Sequence, residues 1–186
     1  MQGNSTTSSA RPSRAPALIR PAIRVETYIP GIGGAIAIGC VLWVSGRFVG
    51  LDQASLLVAS MGASAVLLFA IPDGPLSRPW SVFGGHVLSA LVGVGCATLI
   101  ASDAVAAAAA VGIAILVMGV CKCIHPPGGA TALSAVIGGS SIHSLGIHYV
   151  FMPVMLNAVI MLCVAWVFHL PTSRYPLRLA RPAVRE

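Results

Sequence analysis

Apolar positions along this chain come in unbroken runs. They show neither the alternation of a half-buried strand nor the one-sided stripe of a water-facing helix. The long runs are Pro30 to about Gly50, Gln53 to Ile71, Trp80 to about Ala101, Ala104 to Ile124, and Tyr149 to about Leu170. Roughly 20 apolar residues suffice to cross a bilayer as a helix. A shorter piece, Ala130 to Ile137, stands between two breaks. The breaks are strong: Pro72-Asp73-Gly74-Pro75, Ser102-Asp103, His125-Pro126-Pro127-Gly128-Gly129 and Gly138-Gly139. Proline removes a backbone donor and holds the preceding residue extended, so no regular helix runs through such segments. The pattern predicts an all-α polytopic membrane helical bundle with four to six membrane segments. The transmembrane domain spans residues 25–171, between tails at 1–24 and 172–186.

Composition excludes the soluble classes. Of 186 residues 56% are hydrophobic and 9% charged, where ordinary globular domains carry about 25% charge. The charges are also segregated. Arg11, Arg14, Arg20 and Arg24 against Glu26 precede the first run, and Arg174, Arg178, Arg181 and Arg185 against Glu186 follow the last. Between them Arg47, Arg78 and Lys122 offset Asp52, Asp73 and Asp103, so the net charge of +6 sits in the tails. Basic flanks stay on the cytoplasmic side, which predicts two cytoplasmic termini and an even number of crossings of a bacterial-type inner (plasma) membrane. A pI near 9.6 also fits nucleic-acid binding, but charge parked beside membrane spans argues for no nucleic-acid partner. Met1 to Pro21 lacks the apolar stretch of a cleavable signal and reads as a basic disordered tail.

Small residues recur at helical spacing, as Gly85, Ser89 and Gly93 and again as Gly46 and Gly50. In lipid such faces let helices approach closely, within one chain or between the subunits of a homo-oligomer. An internal repeat is visible as well: Gly62-Ala63-Ser64-Ala65-Val66 is echoed by Gly129-Ala130-Thr131-Ala132-Leu133. Three crossings per half would set the halves in opposite orientations, as an inverted repeat.

Both copies fall in segments that read as interrupted or re-entrant half-helices beginning near Gly62 and Gly128. A helix that starts at mid-depth presents unpaired N–H groups and a partial positive charge, which favour an anion. Gly62, Ala63, Gly128 and Gly129 would bring a ligand close to the backbone, and Ser64 and Thr131 would add hydroxyls, unless these only cap their own helices. Lys122, the one lysine of the chain, lies inside an apolar run and becomes a functional candidate on energetic grounds. The competing reading is an ammonium that snorkels to the interface. His125 at the lip of the second break and His86 after Gly84-Gly85 are imidazoles able to donate to an anion or carry a proton.

Other chemistries fit less well. Cys121, Cys123 and His125 suggest a metal, but Cys123 leaves the face shared by the other two, and no second cluster completes a zinc site. The five cysteines all lie in apolar runs and read as small hydrophobes. Neither a metal nor a cofactor is expected, and the absence of a nucleophile motif or paired carboxylates speaks for a conduit and against an enzyme.

The stretch His125-Pro126-Pro127-Gly128-Gly129-Ala130-Thr131-Ala132-Leu133 resembles the signature of the HPP family of integral membrane proteins. The likeness extends to Gly62 through Phe69, Pro75-Leu76-Ser77-Arg78-Pro79, Gly84-Gly85-His86 with Ser89-Ala90, and Arg174-Tyr175-Pro176. It implies four membrane helices and transport of a small inorganic anion, nitrite first. The other reading is a structural or assembly subunit of a membrane complex.

Overall fold

The computed structural model describes residues 28–48 and 51–170. The two basic tails, their arginines and Gly50 lie outside the described residues. Within them the chain is helical, with no strand. The order is α1 (Ile29–Phe48), α2 (Leu51–Ala65) running on into a π-helical turn (Val66–Ala70), and a 3-10 turn (Pro75–Ser77). Then come α3 (Pro79–Leu99), α4 (Asp103–Val120), α5 (Pro126–Ile137), α6 (Gly139–Leu145), a kinked π segment (Val150–Met155) and α7 (Leu156–His169).

Among the described residues four stretches are long and apolar enough to cross a membrane: Ile29–Arg47, Pro79–Leu99, Asp103–Val120 and Val150–His169. α2 with its π turn and the 12-residue α5, about 18 Å long, pack among them. Four long spans and two further segments thus coexist. The outer surface carries Trp43, Leu99, Leu116, Val120 and Val167, all more than half exposed. In water such a surface would be an aggregation liability; in lipid it is the ordinary solvent-facing side. The protein is a polytopic membrane protein.

The contacts fix the directions of the helices. Gly33, early in α1, meets Phe69 and Phe168, so the start of α1 and the ends of α2 and α7 share one face, here the near face. Asn157 at the start of α7 donates to Ser45 near the end of α1 (2.7 Å), at the far face. His125, ahead of α5, meets Leu76, beyond α2, so α2 ends where α5 begins. The two repeat copies therefore run antiparallel, as an inverted repeat requires.

Local sequence explains the breaks. α4 ends in a Schellman motif: Cys123 N–H donates to Met118 O (2.9 Å) and Lys122 N–H to Gly119 O (3.2 Å). Lys122 holds the left-handed position with φ 53°, where glycine is usual. Pro126 and Pro127 open α5, at the positions where a missing N–H costs least. The expected start at Gly62 is not found. Gly62 sits inside the continuous α2, whose regular geometry gives way only at Val66–Ala70. Nothing near residue 62 removes a donor, and one glycine does not end a helix.

Apolar packing falls into zones that surround the site. Ala37, Val41, Met61, Leu68, Phe69, Met161 and Ala165 join α1, α2 and α7. Ala106, Ala110, Ala114, Met118, Ala132 and Val136 join α4 to α5. α3 and α5 touch backbone to backbone. A Cβ at Gly93 would stand 2.5 Å from Ala132 O, and one at Gly128 would stand 2.6 Å from Gly85 O. The glycine-serine stripe of α3 is thus used within the chain.

Candidate functional site

Five polar side chains meet inside this apolar bundle: Ser60 and Ser64 of α2, His86 of α3, His125 before α5, and Thr131 of α5. All are at most 1% exposed. Ser60 and Ser64 lie one turn apart on one face of α2. Gly84 and Gly85 let the link from Cys123 to His125 cross α3 at close range. A Cβ at 85 would lie 2.5 Å from His125 Cβ, and one at 84 would lie 3.1 Å from that of Cys123. Larger residues at either position would push His125 away from His86. As built, the two rings stand edge to face with centroids 4.9 Å apart.

The hydrogen bonds form a continuous line. His125 Nδ1 lies 2.8 Å from the Leu76 carbonyl, and its Nε2 lies 2.9 Å from Ser64 Oγ. The same Oγ is 2.8 Å from His86 Nε2. His86 Nδ1 is 2.7 Å from Thr131 Oγ1, which is 2.9 Å from Ser60 Oγ. Ser64 and Thr131 also make longer contacts to the carbonyls four residues back, at 3.2 and 3.3 Å. Tyr149 OH donates to the Thr131 carbonyl at 3.1 Å. None of these bonds involves a carboxylate, ammonium or guanidinium group. Ser64 and Thr131 are the matched positions of the internal repeat, and each grips one nitrogen of His86.

The structure therefore brings together four of the residues picked out by sequence: Ser64, His86, His125 and Thr131. It leaves the others apart. Gly62 is half-buried within α2 and Ala63 faces outward. Lys122 is exposed in its turn at the near face. Gly128 N–H donates to His125 O (2.8 Å) and its Cα abuts the backbone of Gly85; Gly129 is half-buried. With two prolines ahead of them, the first amides of α5 do not make an open docking point. Sequence reasoning missed Ser60, Tyr149 and the Leu76 carbonyl. The i, i+4 pairing of Ser60 with Ser64 was the available signal for the first of these.

On the far side of Thr131 a cleft of about 240 Å³ is lined by Val94, Ala97, Thr98, Ala135, Ile142, His143 and Gly146. Ala135 is one turn of α5 from Thr131, about 6 Å. Ser89, Ala90 and Ala132, all small, are fully buried. Among the described residues Ser89 Oγ is buried with no hydrogen-bond partner. No group of three or more metal-ligating side chains occurs among the described residues.

A helical bundle in lipid, with hydroxyls and imidazoles gathered at its centre, defines the class: a multi-pass membrane protein with a buried polar core. The model of the transmembrane region of HPP proteins matches residues 20–176, and the chain belongs to this family. It is similar to two transmembrane proteins of Dictyostelium discoideum. One is 40% identical over 62% of this chain and 41% of the relative. The other is 42% identical over 59% of this chain and 36% of the relative. The match thus spans about two fifths of those relatives' length. No solved structure matches the chain.

Proposed function

We propose that this protein is a conduit, and not an enzyme, for a small inorganic anion, with nitrite the first candidate. The observation that carries the reading is the buried Ser60–Ser64–His86–His125–Thr131 centre. Polar groups in the membrane interior are expensive and mark solute paths. These side chains carry O–H and N–H groups, bonded to one another, that would turn to an anion on binding, and no carboxylate joins them to repel it. The cleft beyond Thr131 is wide enough for a three-atom ion, since water occupies about 30 Å³ in the liquid. The unpartnered Ser89 hydroxyl lies beside Gly128 in the first turn of α5. Lys122 then acts at the near-face rim, raising the local anion concentration without touching the centre. Nitrite itself comes from the family resemblance. The membrane is read as a bacterial-type inner membrane with both tails cytoplasmic, and the working unit as a homo-oligomer.

The test is nitrite uptake into proteoliposomes, with nitrate, chloride and bicarbonate as competitors. Wild type should take up nitrite. His86→Ala should lose at least about tenfold, an effect of one buried hydrogen-bonded group at 1.4 kcal/mol per decade. Lys122→Ala should lose less, and its deficit should vanish at high salt. Failure of the wild type to move any of these anions would overturn the reading. A thermal-shift screen gives an independent check: an anion at about 100 times its dissociation constant adds roughly 2.7 kcal/mol.

A further inference from the structure

The buried centre conserves hydrogens in a way that ordinary packing does not require. The Leu76 carbonyl can only accept, so His125 Nδ1 carries a proton and donates to it across 2.8 Å. In the neutral ring Nε2 then accepts, and the hydroxyl facing it is Ser64, at 2.9 Å. A serine has one proton. Once Ser64 O–H donates to His125, it must accept from His86, so His86 Nε2 carries the proton across 2.8 Å. His86 Nδ1 accepts in turn from Thr131 O–H at 2.7 Å, and Thr131 Oγ1 accepts from Ser60 O–H at 2.9 Å. Each hydrogen serves one short bond, and all the short bonds point from Ser60 toward Leu76. The Ser64 and Thr131 hydrogens are shared with the longer contacts to the carbonyls four residues back.

A second assignment satisfies the same heavy atoms, and it holds one more proton. With His125 as imidazolium, Nε2–H donates to Ser64, Ser64 to His86 Nε2, His86 Nδ1–H to Thr131, and Thr131 to Ser60. The four bonds between Ser60 and His125 are reversed, the His125 bond to Leu76 keeps its direction, and no heavy atom has moved.

We propose that Ser60, Thr131, His86, Ser64 and His125 form a proton relay that shuttles one proton between the bundle centre and the near face. A proton arriving on Ser60 Oγ displaces the Ser60 hydrogen to Thr131, and the Thr131 hydrogen moves to His86 Nδ1. The His86 Nε2 hydrogen passes to Ser64, and the Ser64 hydrogen to His125 Nε2. The positive charge that entered at Ser60 now resides on the His125 imidazolium, held by Leu76. Its Nδ1 proton is released when a near-face water replaces the carbonyl as acceptor, and the return path runs the steps backward. Hydrogens and charge balance at each step, and no redox partner is needed. Thr131, the second member of the relay, lies one helical turn of α5 from Ala135 on the wall of the far-face cleft. The cargo is a proton, and the proposal stands apart from the anion reading.

Imidazole tautomers in the full-length protein, labelled with 15N-histidine in lipid nanodiscs, provide the test. At neutral pH His86 should be the Nε2–H tautomer and His125 the Nδ1–H tautomer. On acidification His125 should become doubly protonated while His86 switches to Nδ1–H in the same titration step. Other titratable and charged groups on the elements packed around the relay are followed as controls. They are Cys123 on the α4–α5 link, Tyr149 ahead of α7, His169 at the Leu68 carbonyl, and the exposed Asp73 and Arg78 in the turn that holds Leu76. Ser64→Ala should uncouple the two rings, so that His125 protonates and His86 no longer switches; Ser64→Thr should restore coupling if the alanine variant misfolds. A His86 tautomer that stays fixed while His125 charges, or coupling that survives in a folded Ser64→Ala variant, overturns the relay. Nitrite uptake is read in a different assay, so either proposal can fail alone.

Discussion

At the scale of single residues the site depends on hydroxyls that cannot be spared. Ser64 Oγ serves both imidazoles, at 2.8 and 2.9 Å, and its loss strands two buried ring nitrogens. Each unsatisfied buried polar group costs about 1–3 kcal/mol. Ser64→Ala should therefore lower unfolding stability by about 2–4 kcal/mol, measured by denaturation in detergent micelles. Thr98→Ala removes an exposed hydroxyl that only donates to the Val94 carbonyl, and should stay within about 0.5 kcal/mol of wild type. Lys122 presents the opposite case. A side chain in the left-handed region costs about 1–2 kcal/mol, and the Schellman position at the end of α4 favours glycine. Lys122→Gly should stabilise the protein by about 1 kcal/mol in the same assay. Sequence alone placed Lys122 in a membrane segment because the apolar run continues to Ile124. The backbone turn that carries it out to the near face has no signature in hydropathy.

At the scale of elements the α3–α5 contact determines whether the centre forms. His86 and Thr131 belong to these two helices, and the glycines between them set the separation. An added methyl at Gly93 would meet Ala132 O at 2.5 Å and Ala135 Cβ at 2.8 Å. Neither neighbour can swing aside, since one is backbone and the other a short side chain on a packed helix. Gly93→Ala should destabilise by about 1–3 kcal/mol through overpacking and lengthen the His86–Thr131 bond. Gly95→Ala and Gly112→Ala, with nothing within 4 Å of the added atom, should gain up to about 1 kcal/mol from helix propensity alone. The contrast isolates packing from helix propensity. The four-residue spacing of Gly85, Ser89 and Gly93 made a close helix contact legible in the sequence. Its partner was not, because small-residue faces do not encode which helix they meet. The break at His125-Pro126-Pro127 was equally legible, since proline acts through local geometry. The continuity of α2 through Gly62 was not, because glycine permits a break without requiring one.

At the scale of the molecule the inverted halves explain why one histidine can be held symmetrically. α2 and α5 enter from opposite faces, so their matched residues Ser64 and Thr131 converge on His86 from its two sides. Such a centre lies between the halves, where relative movement would lengthen one set of bonds while keeping the other. That geometry also fixes topology. α4 runs from the far-face turn at Ser102 to the near-face turn at Cys121, 18 residues or about 27 Å. Both turns are exposed. In a Cys121→Ser background, Ser102→Cys should react with a membrane-impermeant maleimide only from the far face. The native Cys121 should react only from the near face, the side on which α1 begins and α7 ends. With basic flanks retained in the cytoplasm, Cys121 should label in inverted vesicles and residue 102 in right-side-out ones. Labelling of both from one side would mean that α4 does not cross. The antiparallel pairing of α2 and α5 would then lose its membrane frame, and the relay would no longer point from interior to surface.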